Sequence, residues 1–142
     1  MVQKILLAVD GSENALRAAG FALDLVKSIP GARCTVITVV SFTREEARYL
    51  GVPDADFYVA LEMKASRLLE DVEELFGRGG VELDRVVLQG DIAGSIAGYA
   101  AENRYDLIVM GTRGRGNIKG MLLGSVSSKV IQYAHCPVVT VK

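Results

Sequence analysis

Residues 2–9, VQKILLAV, form an apolar run that breaks off at Asp10-Gly11-Ser12. A run this short with turn residues behind it reads as a buried strand, Val2 to Val9. Leu16, Ala19, Leu23 and Val26 then recur at helical spacing. Ser12 stands where a cap accepts a backbone N–H, and Pro30-Gly31 stops the helix. Arg33 to Val40, RCTVITVV, is rich in β-branched residues and reads as the second strand. Residues 42–53 have mixed polarity with Gly51 and Pro53, a loop with room for a short helix. Asp54 would cap a helix carrying Leu61, Ala65, Leu68, Val72 and Leu75 on one face and ending at Gly77, Gly79 and Gly80. Glu82 to Leu88 gives a third strand. Gly90-Asp91 open a helix with Ile92, Ile96 and Tyr99 in register, whose Gly94 and Gly98, one turn apart, would let it lie close on a sheet. Asp106 to Met110 is a fourth apolar strand. A long glycine-rich segment, a helix from about Ser125 to Tyr133 and a fifth strand, Pro137 to Val141, complete the chain.

Strands and helices alternate, and runs such as KILLAV and LIVM show no in–out alternation of their own. That suits strands covered on both faces. The expectation is an α/β fold: one doubly wound, parallel, five-stranded sheet of order 3-2-1-4-5, with right-handed crossovers and helices on both faces. At 142 residues, without a linker or internal repeat, it reads as one domain, residues 1–142. The last strand falls at a sheet edge, where VVTV is a liability unless covered. The expected assembly is a homodimer through that C-terminal edge strand.

Composition narrows the function. Sixteen Lys and Arg against seventeen Asp and Glu leave a net charge of −1, which disfavours a nucleic-acid partner. Half of the residues are apolar, too many for a disordered chain, yet no apolar run approaches the roughly 18 residues of a membrane span. The first residues lack a cleavage pattern and read as a strand instead of a signal peptide, so a cytoplasmic protein is expected. Cys34 and Cys136 read as two buried thiols. With His135 as the only histidine and no close spacing, a zinc site is not expected. His135 beside Cys136-Pro137 reads as the entry to the last strand and not as a catalytic pair.

Ligands of open α/β sheets bind at the carboxyl ends of the strands where the strand order reverses. Strands one and four flank that point, and the fourth is followed by GTRGRGNIKGMLLGS, with glycines at 111, 114, 116, 120 and 124. Glycine lets backbone N–H groups approach an anion, and Gly124-Ser125 stands at the start of a helix whose unpaired N–H groups favour phosphate. Ser125, Ser127 and Ser128 add hydroxyls. Arg113, Arg115 and Lys119 add positive charge. Together they suit a polyphosphate. The P-loop pattern GxxxxGK[ST] is absent. GxGxxG fails because Lys119 stands where its third glycine would be.

The spacing that does fit is Gly111-x2-Gly114-x9-Gly124-Ser125. Here, and in KILLAVDGSE, DLIVMGTRG, LLGSVSSKV and CPVVTVK, the chain resembles the universal stress protein family, specifically its ATP-binding branch. The resemblance covers the whole chain. It implies that Ala8, Val9 and Asp10 line a nucleoside pocket, that backbone groups of Val39 hold the adenine edge with Val40 beside it, and that Met110 packs near the base or sugar. It further implies that Gly111, Arg113 and Gly114 make the first loop contact, and that Gly124, Ser125, Val126 and Ser127 meet the phosphates. Asp10, the nearest acid, would help hold Mg²⁺ through water; a strand-end turn or helix cap is its other role. No catalytic residue is assigned. The expected function is an ATP-binding, homodimeric stress-response switch with ATP and Mg²⁺ as cofactors. The alternatives are a slow ATPase or phosphotransferase on the same site, a binder of AMP or a cyclic nucleotide, and a nucleotide-free interaction module.

Overall fold

In the computed structural model, which describes residues 1–113 and 123–142, the elements are β1 (Lys4–Ala8), α1 (Glu13–Ser28), β2 (Arg33–Val40), α2 (Arg44–Tyr49), a 3-10 turn (Asp54–Asp56), α3 (Phe57–Arg78), β3 (Leu83–Gln89), α4 (Ile92–Glu102), β4 (Leu107–Gly111), α5 (Ser125–Tyr133) and β5 (Val138–Val141). The strands form one parallel sheet of order β3-β2-β1-β4-β5, as the sequence predicts. Predicted strand ends shift by at most two residues.

The unbroken apolar runs are explained by two cores, one on each face of the sheet. Ile5, Leu7 and Val9 pack with α1 and α3 residues such as Ala19 and Leu69, while Leu6 and Ala8 pack with Ile96 of α4 and Val130 of α5. Alternate residues of each strand serve alternate cores, so both phases of the pleat are apolar. A third cluster, with Val40, Phe42, Ala47 and Phe57, fastens α2 beyond the end of β2. Ser12 caps α1, accepting from the Ala15 N–H at 3.1 Å, and Asp91 caps α4, accepting from the Gly94 N–H at 2.8 Å.

Three expectations need correction. Asp54 does not cap α3; it starts the 3-10 turn and holds Arg48 with two bonds of 2.9 and 3.0 Å. Gly94 and Gly98 do not bring α4 close to the sheet. A Cβ at Gly98 would meet nothing within 4 Å, and one at Gly94 would meet only the capping carboxylate of Asp91. The buried stripe of α3 runs through Leu61, Ala65, Leu69, Val72 and Phe76, so Leu68 and Leu75 flank it.

Candidate functional site

The geometry starts from unequal strand lengths. β1 ends at Ala8, paired with Ile37 on one side and Met110 on the other, whereas β2 runs on to Val40. The last link between them is the Val9 N–H donating to the Ile37 carbonyl at 3.1 Å. Since Ile37 turns its carbonyl toward β1, the two-residue period of the strand turns the backbone groups of Val39 to the same side. β1 has ended there. Val39 therefore presents an amide edge at the head of a cleft between the ends of β2, β1 and β4.

The side chains sort by face. Ala8, Val39 and Met110 belong to the core under α4 and α5, and Val126 of α5 packs against it. Val9 points into the α1 core, and Val40 is fully buried with Phe57 under α2 and α3. Of the apolar residues singled out in the sequence, Ala8, Val39, Met110 and Val126 thus converge, and the side chains of Val9 and Val40 do not.

Asp10 and Gly11 shape the turn after β1. Asp10 Oδ1 accepts from the Ser12 N–H at 3.0 Å, and Gly11 supplies a φ of +83°, where a side chain would be strained. Asp10 is half-buried, and its Oδ2 has no protein partner among the described residues. On the other flank, Gly111 lies against the start of α1. A Cβ there would come within 2.8 Å of Asn14 Cβ and 3.0 Å of the Asn14 carbonyl carbon. The absence of a side chain at Gly111 is thus required by helix packing.

Thr112, which the sequence reading passed over, joins the parts. It is 4% exposed. Its N–H donates to the Val141 carbonyl at 2.9 Å, and its own carbonyl accepts from the Gly124 N–H and the Ser127 hydroxyl, each at 2.7 Å. Its hydroxyl accepts a long bond, 3.5 Å, from Asn14 Nδ2. The end of β4, the start of α5, the end of β5 and α1 therefore meet on one residue. A buried threonine inside a glycine-rich string was the available signal, but nothing in its spacing says that its carbonyl takes two donors.

That clasp fixes the N-terminus of α5. Gly124 occupies the cap position and provides no side-chain acceptor, and the first turn carries no acid. The leading N–H groups of the helix therefore have no side-chain cap among the described residues, unlike those of α1 and α4. Ser125 is exposed beside them, Arg113 is half-buried, and the Ser127 hydroxyl is engaged by Thr112. Gly114 lies outside the described residues, as do Arg115, Gly116, Lys119 and Gly120. Among the described residues no group of three His, Cys, Asp or Glu could hold a metal, so Asp10 could contribute only one ligand to an ion otherwise held by phosphate and water. His135 and Cys136 precede β5 at the opposite, amino edge of the sheet, and both cysteines are free thiols.

Comparisons with known proteins follow the same lines. The family model described as "Universal stress protein family" matches residues 1–142. A universal stress protein of Thermus aquaticus is 39% identical over 143 residues, covering all of both chains. Universal stress protein MJ0531 of Methanocaldococcus jannaschii is 33% identical, covering all of this chain and 83% of its own. The solved structure of protein MJ0577 superposes with a TM-score of 0.83 at 26% identity, covering 100% of this chain and 96% of that one. Two others share the fold at 22% and 23% identity with TM-scores of 0.67 and 0.69, each covering 99% of this chain: a family member of Arabidopsis thaliana with AMP bound, of which 91% is covered, and a universal stress protein in complex with cAMP, of which 96% is covered.

Proposed function

The chain belongs to the universal stress protein family, and from that premise we propose that it binds an adenine nucleotide in the cleft between β2, β1, β4 and the start of α5, with ATP and Mg²⁺ as the ligand. The observation that carries this reading is the uncapped α5 N-terminus, held by Thr112 beside the ends of β1 and β4. The nucleoside would lie over Ala8 and Met110, with its base edge on the backbone of Val39. The phosphates would take the N–H groups of Ser125, Val126 and Ser127, the Ser125 hydroxyl and Arg113. The Gly111-x2-Gly114-x9-Gly124-Ser125 spacing supports a triphosphate over a monophosphate. AMP and cAMP in the two structural relatives support the adenosine part alone.

The donor set fits ATP, and Asp10 fits a water-mediated role toward Mg²⁺, which would neutralise phosphate charge. Rapid hydrolysis asks for a residue that orients water and for a charge clamp. The site's own acid is Asp10, and the histidine is at the far edge of the sheet. The proposed activity is therefore occupancy, with turnover slow at most. The chain would act as a homodimer through β5, in keeping with the contrast between the sheet edges. β3 at one edge carries Asp84 and Arg85, tied to Arg33, Glu62 and Glu73, whereas β5 at the other is VVTV, half-exposed and uncharged.

Calorimetric titration with Mg-ATP, AMP and cAMP tests the reading. Mg-ATP should bind with the highest affinity, and Arg113→Ala should weaken ATP about 10-fold, one charge-assisted contact, while leaving AMP nearly unchanged. Equal affinities for ATP and AMP would contradict the triphosphate assignment, and no binding by any of the three would contradict the site.

A further inference from the structure

An open groove of about 920 Å³ lies between α2 and α3, past the end of β2 and away from the nucleotide cleft. Its floor is built by Phe42 and Ala60, with Phe42 stacked on Phe57 at 5.7 Å. Its rim is apolar and uncovered: Tyr49 is 91% exposed, Leu50 69% and Met63 57%. Tyr58 and Val59 continue the patch along α3. Five of the ten large apolar side chains that stand exposed among the described residues fall between positions 49 and 63. Scattered exposed apolar residues are ordinary, but a contiguous patch of this kind marks a contact surface.

The charges around the groove say what covers it. The α2 wall carries Glu45 and Glu46, and the α3 wall carries Lys64 and Arg67. Of the nearby charges outside the lining, Arg48 pairs with Asp54 and Arg85 with Glu62, while Arg44 lies over the Phe57 and Tyr58 rings. Among the described residues Glu45, Lys64 and Arg67 are in no ion pair. A groove with one acidic wall and one basic wall is complementary to itself under one operation. A two-fold axis running along the groove, in the plane of contact, carries each acidic wall onto the partner's basic wall and lays the apolar rims together. An axis across the groove would set like charges face to face. A lipid surface would call for basic residues on both walls.

We propose that the α2–α3 groove is a self-association surface, seated by the same groove of a second copy of this chain about a two-fold axis along its length. α2 and α3 adjoin β2 and β3, whereas β5 is the opposite edge of the sheet, so this contact would not compete with one made through β5. The inference stands without the nucleotide reading.

Sedimentation of the full chain over a micromolar concentration series tests it. Leu50→Asp should halve the mass of the largest assembly. Glu45→Lys and Lys64→Glu should each do the same alone, because each neutralises one wall and leaves no oppositely charged walls facing each other across the two-fold axis. An equimolar mixture of those two variants should regain the wild-type mass, since the intact basic wall of one then meets the intact acidic wall of the other. All three side chains are at the surface, and unchanged circular dichroism melting would confirm that the variants fold. Wild-type mass in Leu50→Asp, or no recovery in the mixture, would overturn the proposal.

Discussion

Gly111 has a packing role that its place in the glycine spacing does not reveal. The sequence marks it as the first glycine of a phosphate-binding spacing. The structure shows that a Cβ there would lie 2.8 Å from Asn14 Cβ and 3.2 Å from the Ala15 nitrogen, against a helix backbone that cannot yield as a side chain would. Gly111→Ala should therefore destabilise the fold by about 1–3 kcal/mol, the usual range for overpacking, measured as a lower urea midpoint. Unchanged stability would mean that α1 can move away freely. Cys34 is the opposite case, a reactive residue type made inert by position. Burial, with Asp84 adding its negative charge, pushes its thiol up to about 12, and the residue is 1% exposed. In a native thiol titration at pH 8, Cys34 should stay silent while half-buried Cys136 reacts; two thiols should appear only after unfolding. Equal reaction of both in the native state would contradict this. Val39 is singled out over Val40 by resemblance alone. The pleat, anchored by the Val9–Ile37 bond, supplies the physical reason that the backbone of Val39 turns to the β1 side.

At the scale of elements, the predicted strand order and pairing match because β1, β2, β4 and β5 are apolar or β-branched runs and the two long helices α1 and α3 end at proline or glycine; β3, with Asp84 and Arg85, is the most polar of the strands. The face of α3 was harder to read. Leu68 and Leu69 are adjacent, and Leu75 and Phe76 are adjacent, so spacings of three and four both fit a helix. Packing selects Leu69 and Phe76, the latter 1% exposed. The short α2 was legible only as room for a helix, since its Thr43 capping box with Glu46 holds just six residues. At the amino edge of the sheet, the pairing of β1 with β4 begins on Asp106. Its Oδ2 accepts from the Gln3 and Lys4 N–H groups at 2.9 and 2.8 Å, and these bonds lower its pKa below the ordinary 3.8. A lowered carboxylate pKa stabilises the fold above the unfolded value and ceases to do so as pH falls through the folded one. Asp106→Asn should therefore unfold at lower urea than the wild type at pH 7, with the gap closing as the pH is taken well below 3.8. A gap that persists undiminished in acid would show that the ionised carboxylate is not the source.

The whole molecule is a sheet whose regions perform different tasks. The carboxyl ends of β2, β1 and β4 converge with α5, the amino ends are closed by Asp106 and the turn at His135, and the two edges differ in charge. No helix among the described residues is long and apolar enough to cross a membrane. The strand ends at Ala8, Val39 and Met110 and the helix start at Gly124-Ser125 were legible in the sequence as parts of one end of the sheet; Gly114, Gly116 and Gly120 lie outside the described residues. What was not visible is how the ends of the glycine-rich segment are brought together. Thr112 does this with bonds to Gly124, Ser127 and Val141, and it thereby links the cleft proposed for the nucleotide to the β5 edge proposed for the dimer. The most direct test of the central claim is an amide-resolved NMR titration of the full chain with Mg-ATP. Saturable shifts are expected at Val39, Arg113, Ser125, Val126 and Ser127, with Leu50 and the amides of α2 unmoved. Shifts confined to other surfaces, or none at millimolar nucleotide, would contradict it.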